Sequence, residues 1–164
     1  MNSARTRGLV VAALHLAMVA GIGGKLLADR ATRPRVWAHA APVDPNLSIR
    51  GRYVRLRLEA EMPTGTDQRI FGRVRLSKEG DRLVATPANG SEGLDARAVT
   101  RNGEQVVVVD HSLAYFIPEH APDPSRRPEG EELWVEVTVP RRGLARPIRL
   151  GVKRNGVLTP LAEP

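Results

Sequence analysis

Residues 42–62 read PVDPNLSIRGRYVRLRLEAEM. From Tyr53 onward the alternation is unbroken, with Val54, Leu56, Leu58, Ala60 and Met62 set against Tyr53, Arg55, Arg57, Glu59 and Glu61. In a strand, successive side chains point to opposite faces, so this pattern builds one face for a core and one for water. The stretch therefore predicts a half-buried β-strand and makes β structure the expectation for the residues around it.

The next segment repeats the pattern, with Ile70, Gly72, Val74 and Leu76 opposed to Arg69, Phe71, Arg73 and Arg75. Pairing the two as a hairpin must bring apolar face to apolar face, because a slip of one residue inverts every side chain. Two registers do so, and the one setting Leu58 against Val74 and Leu56 against Leu76 packs the larger pairs. It also sets Glu59 against Arg73 and Arg57 against Arg75, and directly opposed like charges cost some tenths of a kcal/mol. The expected hairpin thus gathers Arg55, Arg57, Arg73 and Arg75 on one wet face. Such a face is either solvated and screened by salt or a surface for anionic lipid headgroups.

Further strands are expected at 82–86, 104–110, 132–139 and 148–152, separated by turn pairs such as Asn89-Gly90, Asn102-Gly103 and Asn155-Gly156. No window of useful length has helical period after the N-terminus. Leu133, Val135, Val137 and Val139 form one stripe, which leaves Trp134 on the other face as cover for a second small core or as a partner surface. The proline-rich run 118–130 is expected as an exposed loop. The fold class is mainly β: an antiparallel β-sandwich or barrel-like domain after one N-terminal transmembrane helix.

That helix is read from the seventeen uncharged residues GLVVAALHLAMVAGIGG between Arg7 and Lys25, extended by Leu26, Leu27 and Ala28. About 20 residues are needed to cross a hydrocarbon core, with Lys25 snorkelling. A cleaved signal peptide is the alternative, since MNSARTR is a good basic start, but Ala38-His39-Ala40 lies late for a cleavage site. His15 within the span is a polar residue tolerated there or packed on a partner helix. Lys25, Arg30, Arg33 and Arg35 outnumber Arg5 and Arg7, which favours an internal C-terminal domain, although long domains cross largely regardless of such a bias. The expected layout is a basic tail at 1–7, an anchor at 8–28, a linker with a first strand at 29–41, and a β-domain at 42–164.

Composition narrows the function. The chain of 164 residues carries a formal charge of +7, but only Lys25, Lys78 and Lys153 are lysines. Two Trp, two Tyr and two Phe leave few platforms for bases, so no nucleic-acid partner is expected. The absence of cysteine removes disulfides, thiolate nucleophiles and Cys-based metal sites.

The run PVDPNLSIRGRYVRLRL resembles the bacterial GDYXXLXY proteins. Pro42, Asp44, Pro45, Gly51, Tyr53 and Leu56 match that pattern, while Arg52 stands where the family has Asp and Leu58 where it ends in Tyr. Tyr115-Phe116-Ile117-Pro118-Glu119 is similar to its Tyr-Tyr-Val-Pro-Glu stretch. The resemblance covers nearly the whole chain after the anchor. It implies a signal-anchored, single-pass protein of the bacterial inner (cytoplasmic) membrane, with a periplasmic or otherwise extracytoplasmic domain and a multi-pass membrane protein as partner. It brings no catalytic activity, and Arg52 marks the loss of any role the usual Asp had.

An enzyme would need a constellation. Asp110-His111-Ser112 are chain neighbours, which point apart and do not make a triad. Asp44, His111, Glu119 and His120 are the residues from which a metal-dependent or acid/base hydrolase would draw. Ser48 and Lys78 lack the surroundings of a Ser-Lys peptidase, and no phosphate loop, zinc signature or dinucleotide fingerprint occurs. The expectation is a non-enzymatic, membrane-anchored envelope module without metal or cofactor.

Overall fold

The computed structural model describes residues 3–43, 53–63, 71–88, 93–101, 103–118, 122–141 and 143–161. The chain divides into two compact units, residues 1–33 and 34–164.

The first unit is helix α1 (Ser3–Thr32), longer at both ends than the expected 8–28. Residues 6–32 are long and apolar enough to cross a membrane, as an anchor or a signal sequence does. At 1.5 Å per residue they reach about 40 Å, more than a hydrocarbon core of about 30 Å. Leu9, Leu14, Leu16 and Leu27 are all exposed, and leaving such side chains in water forfeits about 1.5–3 kcal/mol each. His15 is partly satisfied by its own helix, with Nδ1 2.9 Å from the Val11 carbonyl oxygen. At the C-terminus Thr32 donates to the Ala28 carbonyl at 2.7 Å, and Arg33 pairs with Asp29 at 2.6 Å.

The second unit begins at Pro34 rather than at 42, because the segment between is a strand of the sheet. Its strands are β1 (Arg35–Val43), β2 (Tyr53–Glu61), β3 (Phe71–Glu79), β4 (Arg82–Pro87), β5 (Leu94–Arg101), β6 (Glu104–Phe116), β7 (Glu131–Thr138), β8 (Arg146–Arg154) and β9 (Val157–Pro160). They form one sheet in the order β4-β3-β5-β6-β2-β1-β7-β8-β9. A single parallel bridge, Glu61 to Val84, joins β2 to β4 and closes the first five strands of that order into a barrel. All other pairings are antiparallel.

The expected hairpin between residues 53–62 and 70–76 does not form in either register. β2 lies between β1 and β6, with Leu56 opposite Pro42 and Leu113, while β3 pairs with β4 and β5. The nine residues 62–70 between the two strands exceed the two to five of an ordinary hairpin loop, so neighbours in sequence are not held as neighbours in space.

What the alternation does predict is which face is buried. Val54, Leu56, Leu58 and Ala60 enter the core with Val36, Ala38 and Ala40 of β1, Val107, Val109 and Leu113 of β6, and Leu133, Val135 and Val137 of β7. Between Arg57 and Glu59 the partner strand advances from Ser112 to Val108, so β6 carries two extra residues. Two extra residues preserve the in-and-out alternation, and they leave Asp110 and His111 exposed on the outside. The run 118–130 is not simply an exposed loop: Pro124 is buried, and Asp123 Oδ1 accepts from both the backbone nitrogen (2.9 Å) and the hydroxyl (2.7 Å) of Ser125.

Candidate functional site

β6 occupies one edge of β2 along its length, so β1 and β4 must share the other. β1 pairs with β2 as far as His39 opposite Glu59, and β4 takes over at Glu61. Where these two strands part, an open cleft of about 960 Å³ forms, floored by His39 and Glu59 and walled by Arg101, Glu132, Trp134 and Lys153. It is larger than two other concavities of the β-unit, of about 170 and 320 Å³.

The floor is set by strand register. Glu59 stands opposite His39, His39 opposite Trp134, and Trp134 opposite Gly151, which places one outward row across four strands. The Glu59 carboxylate is almost wholly buried, its side chain only 7% exposed, and Oε2 lies 3.0 Å from both His39 Nδ1 and Arg101 Nη1. Burial pushes the Glu59 carboxyl up, but the His39 hydrogen bond and the charges of His39 and Arg101 outweigh it, so the group titrates below its ordinary value of 4.5. Arg101 Nη1 also sits 3.0 and 3.1 Å from the two ring nitrogens of His39. In a neutral His39 whose Nδ1 donates to Glu59, Nε2 is the nitrogen left to accept from Arg101, whereas a charged ring donates from both nitrogens.

Both tryptophans of the chain line this cleft. The Trp134 ring meets His39 edge-on at 5.9 Å, carries Lys153 Nζ over its face at 4.5 Å, and donates from Nε1 to Glu132 at 3.1 Å. Trp37 lies flat on β8 at Gly151, where an added Cβ would come within 2.8 Å of the ring, and Arg149 stands over it at 5.4 Å. Trp134, half-buried, is thus one wall of a polar cleft rather than cover for a second small core.

The residues that carry the family resemblance lie elsewhere. Pro42 stands opposite Leu56, Val54 opposite Tyr115, and Tyr53 opposite Phe116, so the two resembling segments become neighbours across β1, β2 and β6. The Tyr53 and Phe116 rings are 6.1 Å apart, and Arg55 lies over Tyr53 at 5.7 Å. Pro118 follows the end of β6. Asp44, Pro45, Gly51, Arg52, Glu119 and His120 lie outside the described residues.

The arginines Arg55, Arg57, Arg73 and Arg75 are not brought together by strand pairing. Arg57 stands opposite Ala41 and Ser112, Arg75 opposite Thr86, and Arg73 pairs with Asp95 at 3.4 Å. The case for a shared anion face rested on the hairpin that the sheet does not make. His111 projects from the β6 bulge, and its neighbour Asp110 is engaged by Arg97. Among the described residues no group of three metal-ligating side chains occurs.

The cleft residues His39, Glu59, Arg101 and Lys153 were not singled out from sequence. The alternation of Val36, Ala38 and Ala40 against Trp37 and His39 marks their face, but which strands lie alongside is a matter of long-range pairing. Fold and site together define a mainly β barrel unit preceded by a membrane-length apolar helix. Compared with family models, curated proteins and solved structures, the chain gave no match in any of the three.

Proposed function

We propose that the chain is a membrane-anchored envelope module of the GDYXXLXY kind, held at the inner membrane by α1 with its β-unit on the extracytoplasmic side, and acting as a non-enzymatic accessory to a multi-pass membrane protein. The observation that carries this reading is α1 itself. Its apolar residues 6–32 exceed the length needed to span a bilayer and are followed at once by a separate compact β-unit. In support of the resemblance, the sheet pairs Pro42 with Leu56, Tyr53 with Phe116 and Val54 with Tyr115, although some sixty residues separate β2 from that part of β6 in sequence.

The test is affinity purification of the full-length protein from gentle detergent, followed by identification of what comes with it. A multi-pass protein recovered in stable proportion is the expected result, and its consistent absence would count decisively against the accessory role. Topology is tested separately with a reporter fused at the C-terminus. A reporter active only outside the cytoplasm is expected, and activity in the cytoplasm would overturn the placement.

A further inference from the structure

Along the strands, Arg73, Arg82, Arg97, Arg101, Arg149 and Arg154 each pair with an Asp or Glu. Arg57 on β2 breaks this pattern. It is half-buried, its Nε is shut from solvent without a hydrogen-bond partner, and no carboxylate among the described residues pairs with it. A cation withdrawn from water costs free energy unless an acceptor or a counter-charge replaces that water. The carboxylates closest by register are already held: Glu59, two positions on, by His39 and Arg101, and Asp110, in the adjoining bulge of β6, by Arg97.

Arg55 shares the outward face of β2 with Arg57. It lies over the Tyr53 ring at 5.7 Å and likewise has no carboxylate among the described residues. The flanking strands offer only short side chains, with Arg57 between Ala41 and Ser112 and Arg55 between Val43 and Ala114. At the end of this strip Phe116 is 74% exposed, its ring 6.1 Å from that of Tyr53. Alternate residues on one face of a strand stand about 7 Å apart, and an extended peptide presents its own alternate side chains at the same interval. A lone phosphate meets one of these arginines, whereas carboxylates recurring at that interval meet both.

We propose that the outward face of β2 from Tyr53 to Arg57 binds an extended acidic peptide segment, with carboxylates of alternate residues on Arg55 and Arg57 and an apolar side chain against Phe116. Arg57 then turns its Nε edge outward and takes its carboxylate as a bidentate partner. Arg55 stands opposite Val43, the last residue of β1, about 26 Å along that strand from Arg35. The strip is thus remote from the end of the β-unit at which the chain leaves α1, which favours a peptide over lipid headgroups. This site stands independently of the accessory role proposed above.

The test titrates full-length protein in an uncharged maltoside detergent into a dye-labelled glutamate-rich peptide with a central leucine, and into its lysine counterpart, while anisotropy is followed. Saturable binding of the glutamate peptide alone is expected. Arg57→Gln should weaken it about tenfold through loss of one charged hydrogen-bonded pair. Phe116→Ala should weaken it less, and Lys78→Gln, on β3, should leave it unchanged. Because Arg57 has no partner in the free protein, Arg57→Gln should melt no lower than wild type without peptide. Glycerol phosphate, a lipid headgroup without its chains, serves as competitor and should not displace the peptide at equal concentration. No saturable binding, equal binding of the lysine peptide, displacement by equimolar glycerol phosphate, unchanged binding in Arg57→Gln, or a lower melting temperature in that variant would overturn the proposal.

Discussion

Glu59 joins two outer-face residues from other strands, His39 and Arg101, through one buried carboxylate. A carboxyl whose folded value lies below its unfolded one binds its proton more weakly when folded, so its contribution to stability is whole above the ordinary value near 4.5. As pH falls through the lower folded value, that contribution disappears. Wild type and Glu59→Gln should therefore differ in thermal stability at pH 7 and converge only as pH falls below the ordinary carboxylate range, measured by circular dichroism melts; a gap that persists unchanged into strong acid would contradict this. Removing Arg101 leaves Glu59 with His39 alone, and since Arg101 is 44% exposed, the expected cost is about 1–2 kcal/mol rather than that of an orphaned buried charge. Gly151 makes a different point. Its φ is ordinary, but an added Cβ would meet Trp37 at 2.8 Å and the Thr159 carbonyl at 3.2 Å. Gly151→Ala must push Trp37 off β8, with an expected loss of about 1–3 kcal/mol and a red-shifted tryptophan emission.

At the scale of elements, the sequence was most informative where a single face had to be apolar. Tyr53–Glu61 and Glu131–Thr138 fall almost where alternation places them, with Leu56, Leu58, Val135 and Val137 fully buried. β5 and β9 went unanticipated for a physical reason: in LDARAVTR the alternating apolar positions after Leu94 are only the small Ala96 and Ala98, and VLTP is four residues long, too short to show a face. β5 takes its order from its neighbours, pairing with β6 from Ala96 opposite Val109 to Arg101 opposite Glu104. The cleft was hidden by the same limit, since its floor joins Glu59 to Arg101, 42 positions away, and no local pattern specifies such a pairing. For α1, charge in the apolar stretch is the informative perturbation. An arginine near the middle of a membrane helix costs about 2.5–3.5 kcal/mol on insertion scales. Replacing both Leu14 and Met18 with Arg is expected to move the protein from the carbonate-resistant membrane pellet to the supernatant; retention in the pellet would refute the spanning role.

For the molecule as a whole, the two units make a separable prediction. Residues 34–164 hold the entire core cluster, from Val36 to Leu150. Produced without α1, they are expected to unfold in one cooperative transition with coincident far-ultraviolet and tryptophan signals, whereas a broad or probe-dependent transition would show that the helix is needed for folding.

The place of β1 bears on how the protein is made. β1 is the first strand synthesised, yet one of its two partners is β7, with Arg35 opposite Thr138, about a hundred residues later. At about 5–20 residues per second, β1 waits roughly 5–20 s before that partner has been translated. Throughout that interval Val36, Ala38 and Ala40, all bound for the core, trail directly behind an apolar helix with the β7 edge open. Completion of this sheet is therefore tied to the pace of synthesis, and a ribosomal pause ahead of residue 131 would lengthen the interval in which the β7 edge of β1 stays open.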